Sequence, residues 1–291
     1  MKISLILSVL ILVSLSNCAL AQPMNSKKAA QDSLSILSAA IWKQKTDATR
    51  LQANDVFFEK FQSVLKAGPV NLPLDSINGI TYIASDDGVL RIYTWNVPIS
   101  GGTNKYFGFI QFLKDGNALI PLKSTEKEPA DLEMAQIAPE KWYGAIYYKI
   151  ISVKIGERKA YTLLGWDGYN SGSNRKLIDI ICIEKDGNVQ FGMPVFKTDK
   201  GVKSRVVLEY AEKSTMVLRY DYQAIMVEKK KKLIKEDTWL IVMDHMVPMD
   251  PSMVGIRKYY VPAGDSYDGY VFRDGYWVLV EEIDVVNKIA N

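Results

Sequence analysis

The sequence predicts a mainly β protein of the α+β class, in which an N-terminal helical segment precedes an antiparallel array of about seven hairpins. Two observations carry this prediction. Before residue 68, apolar residues recur at helical spacing, and after residue 77, short runs of β-branched and aromatic residues are bounded by Asp-Gly and similar turns. The chain has 291 residues, 48% of them hydrophobic and 24% charged, which is enough to enclose a sizeable core.

The first residues predict export. Lys2 precedes an apolar stretch at residues 3–15, and the sequence ALA at 19–21 matches the cleavage pattern of a signal peptide. We expect cleavage after Ala21 and a mature protein that is periplasmic or secreted. No other stretch is long and apolar enough to span a bilayer, so we expect no transmembrane segment in the mature chain.

The two cysteines refine this prediction. Cys18 offers lipidation as an alternative to simple cleavage, but Asn17 is a poor match where a lipoprotein signal has a small residue. If Cys18 is removed with the signal peptide, Cys182 is the only cysteine, and an intramolecular disulfide is excluded. The apolar neighbours of Cys182 indicate core packing rather than a reactive thiol.

The predicted domains are a signal peptide at residues 1–21, a helical segment at 22–70 and a β-rich domain at 71–291. A polar interval at 46–54 divides the helical segment into two helices, and a Gly-Pro pair ends the second one. The apolar residues that define the two helices are Leu34, Leu37, Ile41, Trp42, Val56, Phe57, Phe61, Val64 and Leu65.

The hairpins of the β-rich domain are predicted from their turns, at residues 86–88, 115–116, 156–157, 185–188, 212–214, 229–232 and 274–275. Their uneven spacing argues against a regular repeat, so a curved meander, a barrel-like sheet and an irregular propeller all stay open. The lysine run at 229–232 is interpreted as a solvated hairpin tip that blocks edge pairing, with a contact to phosphate or an anionic surface as the alternative.

The most distinctive stretch, residues 163–196, predicts a strand, a polar loop, a strand, a tight turn and a strand. Long polar connections are more often functional than two-residue turns, so the loop at 166–175 is the candidate ligand-binding loop. Its candidate residues are Trp166, Asp167, Asn170, Asn174 and Arg175. The oxygen donors of this loop faintly resemble a calcium site, but carboxylates are too few and Asx-turn bonding is favoured. We therefore predict no metal.

Catalytic residues are not predicted. The single histidine, His245, excludes histidine-rich metal sites, and its neighbour Asp244 projects from the opposite strand face and cannot easily orient it. Four methionines nearby, Met243, Met246, Met249 and Met253, could supply soft ligands for Cu(I). Gap-filling in the core by Met243, Met246 and Met249 is the favoured interpretation. The sequence contains no G-x-S-x-G motif, phosphate-binding loop, dinucleotide fingerprint or zinc motif, so we predict no cofactor.

Charge and aromatic content bear on the partners. The formal net charge of +3 is close to balance for this length, so we expect no nucleic-acid partner. Most aromatic residues are expected in the core or in cross-strand pairs, although some could form a platform for a sugar or a peptide.

Several short stretches carry a resemblance: RIYTWN (91–96) with GGT (101–103), LLGWDG (163–168) with NRKLID (174–179), FGMPVF (191–196) and DSYDGY (265–270). Through them the chain resembles a group of uncharacterised exported proteins of Bacteroidetes-type bacteria. The resemblance extends over residues 80–285. It implies an exported, envelope-associated protein, and it brings no activity and no site with it.

The leading functional hypothesis is a non-enzymatic binding or scaffold domain of the cell envelope, with a glycan or a peptide as ligand. It depends on the export signal, the hairpin array and the missing catalytic motifs. The alternative is a carboxylate-based, glycosidase-like hydrolase that acts on envelope or dietary polymers. A concave pocket in which two or more carboxylates meet over an aromatic floor would favour the hydrolase.

Overall fold

The computed structural model describes residues 22–68, 77–113, 118–184, 187–229 and 232–283, with the backbone alone described at 22–27, 227–229 and 232–234. The chain divides into two compact units, residues 1–78 and 79–291. The predicted signal peptide, its cleavage after Ala21 and the lipidation of Cys18 lie outside the described residues.

The first unit contains two helices, α1 (Gln22–Lys43) and α2 (Asp47–Lys66), as the apolar spacing predicts. Each buries one face, with Leu34 and Ile41 on α1 and Phe57 and Phe61 on α2. The break between the helices is shorter than the predicted polar interval at 46–54. Thr46 caps α2 by accepting a hydrogen bond of 3.2 Å from the backbone N–H of Thr49, and the residues that follow Thr46 are helical.

The second unit contains fifteen strands among the described residues, and they form three sheets. The first sheet is an antiparallel meander of β1 (Thr81–Ala84), β2 (Leu90–Ile99), β3 (Thr103–Phe112) and β4 (Leu119–Lys123). The predicted turn at 86–88 joins β1 to β2, while the turn predicted at 115–116 lies outside the described residues. The sequence did not predict the turn between β2 and β3, where Gly101 and Gly102 both adopt positive φ.

The second sheet has the strand order β11-β7-β6-β5. Its members are β5 (Ile146–Ile155), β6 (Arg158–Asn170), β7 (Ser173–Ile183) and β11 (Val206–Ala211), with the short strand β8 (Val189–Phe191) paired to β7. The hairpins predicted around 156–157 and 185–188 are confirmed by the pairing of β5 with β6 and of β7 with β8.

The third sheet has the strand order β10-β9-β15-β14-β13-β12. Its members are β9 (Phe196–Thr198), β10 (Gly201–Lys203), β12 (Leu218–Lys229), β13 (Lys232–Pro248), β14 (Tyr260–Arg273) and β15 (Tyr276–Ile283). The pairing of β9 with β15 is parallel, and the predicted hairpin around 274–275 joins β14 to β15. The predicted lysine-rich loop is mostly strand, and its tip at residues 230–231 lies outside the described residues.

One predicted hairpin is wrong. Residues 206–210 and 216–220 were expected to pair with each other, but β11 pairs with β7 and β12 pairs with β13. The chain therefore crosses from the second sheet to the third at this point. Long-range polar contacts hold β11 on β7, because Glu209 lies opposite Arg175 and Arg205 reaches Asp179 at 2.9 Å. Such contacts have no local sequence signal.

The second sheet is buried on both faces. One face shares a core with the first sheet, through residues such as Ile92, Tyr147 and Leu177, and the other shares a core with the third sheet, through residues such as Ile178 and Ile241. Burial on both sides explains the nearly continuous apolar run at 177–183. None of the three sheets closes into a barrel within the described ranges, so the layered sheets replace the barrel-like and propeller alternatives.

Candidate functional site

The predicted ligand-binding loop at 166–175 is not a loop. It is the end of the β6–β7 hairpin, whose turn contains only Ser171 and Gly172. Asp167 lies opposite Arg175, and the pairing register is irregular between Asp167 and Asn170. The polar residues that indicated a loop are strand residues in polar contacts, and several of their partners are distant in sequence.

Asp167 is the centre of a buried polar network. Its Oδ1 atom accepts a hydrogen bond of 2.8 Å from the hydroxyl of Tyr106, and its Oδ2 atom accepts one from the hydroxyl of Tyr143. Burial raises the pKa of Asp167, and the two tyrosine hydrogen bonds oppose that rise. The hydroxyl of Tyr106 also accepts a bond of 2.8 Å from the backbone N–H of Gly168, which fixes the hairpin end to β3.

Arg175 connects this network to the surface. Its NH1 group donates to the Tyr143 hydroxyl at 2.9 Å and to both Glu128 oxygens at 3.0 and 3.1 Å. Its NH2 group lies 3.7 Å from Glu209, and its guanidinium carbon lies 3.3 Å from the ring centroid of Tyr169. The side chain is 9% exposed, so its charge is held by protein groups on several sides.

The other three predicted site residues support the hairpin. Asn170 forms the expected Asx turn, since its Oδ1 atom accepts bonds from the backbone N–H groups of Gly172 (2.7 Å) and Ser173 (3.1 Å). Asn174 donates to the carbonyl of Glu212 at 3.2 Å. Trp166 packs over Gly168, where an added Cβ would lie 2.7 Å from the indole.

No metal site is formed by these donors. Among the residues that the structure describes, no group of three or more His, Cys, Asp or Glu side chains could hold a metal ion. The carboxylate of Asp167 points into the tyrosine network, while Asn170 and Asn174 bond to the backbone. Asn170 thus forms the Asx turn that the sequence predicts.

Arg175 leads to a cleft of about 530 Å³ beside β11. Of the five predicted site residues, Arg175 alone lines it. Seven carboxylates line the cleft as well: Glu128, Asp131, Glu133, Asp199, Glu209, Asp268 and Glu281. The cationic lining residues are Arg175, Lys200, Lys203 and Arg257. The sequence did not predict this cleft, since its residues come from segments that are far apart along the chain.

The lining of the cleft contains both buried apolar residues and exposed charged residues. Its apolar lining includes Met243 and Tyr270, which are 5% and 2% exposed, and the half-buried Leu279. These apolar lining residues are called the floor of the cleft. The exposed charged residues of its lining, called the rim, are Asp199, Lys200, Arg257 and Glu281. Carboxylates do line a concave site here, but among the described residues Tyr270 is the one aromatic residue in that lining.

Several carboxylates of the cleft are already bonded to protein groups. Glu133 binds Lys203 at 2.7 Å through one oxygen and accepts a bond of 3.2 Å from the backbone N–H of Val207 through the other. Glu209 accepts a bond of 2.6 Å from the hydroxyl of Ser173. These contacts hold the wall of the cleft in one geometry.

His245 has an unexpected partner. Its Nδ1 atom lies 2.9 Å from Oδ2 of Asp268, a cleft residue on the neighbouring strand β14. The prediction that Asp244 does not orient His245 is confirmed, because Oδ2 of Asp244 accepts a bond of 2.7 Å from the backbone N–H of Val217. The pairing register of β13 with β14 is irregular between Asp244 and Met246, next to His245.

The remaining predictions for single residues have clear outcomes. Cys182 is a free thiol and 2% exposed, so its core position is confirmed. Met243 and Met246 pack in the core between the second and third sheets, as the gap-filling interpretation predicts, whereas Met249 is 61% exposed and does not.

Two comparisons with known proteins found no match. No protein-family model matches the chain, and no curated protein matches it significantly. The resemblance to exported proteins of Bacteroidetes-type bacteria therefore stays a prediction. Within the described ranges, neither α1 nor α2 has the length and apolar character that crossing a membrane requires.

Proposed function

We propose that the second unit is a non-enzymatic binding domain that holds a peptide-like ligand in the cleft beside β11. The observation that carries this proposal is the combination of a buried apolar floor with a rim of exposed charges of both signs. A volume of about 530 Å³ lies within the usual range of ligand pockets. An apolar side chain suits the floor, and a segment with both an amine and a carboxylate suits the rim.

The geometry favours binding over hydrolysis. In a glycosidase-like pair, one carboxyl group delivers a proton and the other attacks the substrate or activates water. Two carboxylates of the cleft, Glu128 and Glu209, instead contact the same guanidinium of Arg175, and Glu209 is also bonded to Ser173. These bonds support a structural role for both groups.

A peptide screen tests the binding proposal. Tetrapeptides in which one lysine, one glutamate and two leucines are permuted would be screened against the protein by thermal shift and then titrated by calorimetry. Met246 lines the cleft, so the larger side chain of Met246→Trp occupies part of its volume. We expect this variant to bind the best peptide with an affinity lower by about tenfold or more. Met249→Trp is the matched control, because Met249 is exposed and is not among the lining residues of the cleft.

Two results would contradict this proposal. One is equal affinity in the protein and in Met246→Trp. The other is hydrolysis of an envelope or dietary polysaccharide that disappears in both Glu128→Gln and Glu209→Gln while the melting temperature stays unchanged. The second result would establish the glycosidase-like alternative, with these two residues as its acid and base.

We also propose that the protein acts outside the cytoplasm, as a periplasmic or secreted component of the envelope. The apolar stretch at 3–15 and the ALA sequence at 19–21 support this. Intact-mass measurement of the mature protein tests it, with Gln22 expected as the first residue. A diacylated N-terminal Cys18 would show instead that the protein is lipidated.

A further inference from the structure

A cluster of aromatic side chains is exposed on the ribbon of β12 and β13. Trp239 lies opposite Tyr222 in the pairing register, and the two rings are 5.6 Å apart. Tyr220 stacks on Trp239 at 5.1 Å with an interplanar angle of 24°. Trp239 is 53% exposed and Tyr222 46% exposed, which is unusual for rings of this size. The cluster of Tyr220, Tyr222 and Trp239 contributes no residue to the lining of the cleft.

The position of the cluster explains its exposure. Tyr222 and Trp239 lie on the same face of the third sheet as Ile241 and Met243, which are buried in the core. The pairing of β14 with β13 begins at Leu240, so the ribbon extends beyond that strand. The core face of the sheet therefore continues as an exposed surface. An apolar face of this kind often marks a binding surface.

The cluster is preorganised. Tyr220 meets Trp277 edge-on at 6.3 Å, and Trp277 is 1% exposed and donates a hydrogen bond of 2.9 Å to Thr162. Trp239 is thus supported by the ring of Tyr220, which in turn contacts the buried ring of Trp277. Because Trp239 is already held in place, a ligand that stacks on it loses little binding free energy to the ordering of that side chain.

Carboxylates border the aromatic rings. Asp237 is exposed and lies two residues from Trp239, on the same face of the ribbon. Burial and the charge of Asp86 both raise the pKa of Tyr220. Carboxylates are pure acceptors, so the surface offers apolar ring faces beside groups that accept hydrogen bonds. A pyranose ring has the complementary chemistry, with an apolar C–H face and hydroxyl donors around its edge.

We propose that the aromatic cluster binds a neutral polysaccharide, with Trp239 stacked on one pyranose ring and Asp237 accepting hydrogen bonds from its hydroxyl groups. The carboxylate of Asp237 disfavours an acidic sugar ring stacked on Trp239. This site is separate from the cleft and extends the function beyond peptide binding.

Two other occupants are less compatible with the surface. A bilayer would have to desolvate Asp237, which lies on the aromatic face itself. A second copy of the chain could add to the free edge of β12, but the carboxylate of Asp221 accepts a bond of 2.9 Å from the backbone N–H of Tyr222 and occupies that edge.

Affinity electrophoresis of the full chain tests the proposal. The gels would contain a neutral glucan, xylan or mannan, and parallel experiments would use polygalacturonate gels and sedimentation with vesicles of phosphatidylcholine and phosphatidylglycerol. We expect retardation by at least one neutral polymer. Trp239→Ala is expected to lower the affinity for that polymer about tenfold or more, and Asp237→Ala about threefold. Trp239→Phe is expected to keep most of the affinity.

Matched variants separate binding from folding. Tyr82→Ala is the control for Trp239→Ala, because Tyr82 is also a partly exposed aromatic residue, 37% exposed, but lies on β1. Each variant must keep the melting temperature of the parent protein within about 2 °C, the shift expected for a small surface change. The cleft variant Met246→Trp is expected to bind the polysaccharide normally, so that failure of the two proposals can be told apart.

The proposal is overturned by retardation that persists in Trp239→Ala, by binding to polygalacturonate or vesicles alone, or by no binding to any polymer of the set. Dimerisation that Trp239→Ala abolishes, measured by analytical ultracentrifugation, would assign the cluster to a second copy of the chain.

Discussion

Asp167 and Arg175 face each other across β6 and β7, but the hydroxyl of Tyr143 stands between their charges. The hydroxyl donates to Oδ2 of Asp167 and accepts from NH1 of Arg175 at 2.9 Å. Tyr143 precedes β5, so this bridge ties that segment to the end of the hairpin. The three groups form one buried network, in which the loss of Tyr143 removes one hydrogen bond from each of the other two, while Asp167 keeps its bond from Tyr106 and Arg175 keeps its contact with Glu128.

Tyr143→Phe tests the bridge. We expect the free energy of unfolding to fall by about 1–3 kcal/mol, because a buried carboxylate and a guanidinium each lose a hydrogen bond. Urea denaturation measures the change. Tyr82→Phe is the control on an exposed face, with an expected change below about 0.5 kcal/mol. Equal losses in the two variants would show that the bridge contributes nothing of its own.

The pH dependence of stability tests the burial of Asp167. Burial raises the pKa of Asp167 in the folded state above the ordinary value of 3.8, so the folded state binds this proton more tightly than the unfolded state does. That contribution is complete below the unfolded pKa and is lost as pH rises through the folded pKa. We expect Asp167→Asn to gain stability relative to the parent protein between pH 3.5 and pH 7. Asp237→Asn, at an exposed position, serves as the control, and a difference for Asp167→Asn that does not change with pH would contradict the prediction.

The fold class was predictable because its signals are local. Helical spacing identified α1 and α2, and turns such as the one at 274–275 identified hairpins that the structure confirms. The failures are non-local. Residues 206–210 were predicted to pair with 216–220, but β11 pairs with β7 instead. No short-range pattern reveals the contacts between these two strands.

The site was predictable only in part. Arg175 was singled out because it lies in a polar stretch, and it does line the cleft. Asp167 lies in the same stretch, but its partners Tyr106 and Tyr143 are 61 and 24 residues away in sequence. The pairing of His245 with Asp268 likewise joins two strands, 23 residues apart. Chemistry assembled across strands depends on the register of the sheet, and the sequence alone did not determine that register.

Asp167→Ala and Asn174→Ala are expected to lower stability more than they change ligand binding. The first removes the acceptor of two tyrosine hydroxyls and should destabilise the fold by about 2–4 kcal/mol. The second removes one bond to the Glu212 carbonyl and should cost about 1 kcal/mol. Affinity for the best tetrapeptide should stay within about twofold, because Arg175 keeps its contact with Glu128. Calorimetry and thermal melts measure both effects, and unchanged melting with loss of the ligand would assign the hairpin a direct role in binding.

The buried pair of Asp179 and Arg205 gives a prediction about the fold. Their side chains are 1% and 0% exposed, and NH1 of Arg205 also donates to the carbonyl of Leu132 at 2.7 Å. Arg205→Met leaves a buried carboxylate unpaired and should lower the free energy of unfolding by about 3–5 kcal/mol. The double variant Asp179→Asn/Arg205→Met should lose less than the sum of the single losses. A double-mutant cycle by urea denaturation measures this coupling, and additive losses would show that the two charges do not stabilise each other.

Cys182 reports on the integrity of the second sheet. It is the only cysteine in residues 22–291, it is 2% exposed, and burial raises the pKa of its thiol. In the folded protein at pH 8, we expect the thiol to react with Ellman's reagent only at the rate of unfolding, because both its low exposure and its protonation oppose attack. Arg205→Met should accelerate that reaction, since β7 carries both Asp179 and Cys182. Cys182→Ala provides the blank, and rapid labelling of the parent protein in the absence of denaturant would contradict the packed position of β7.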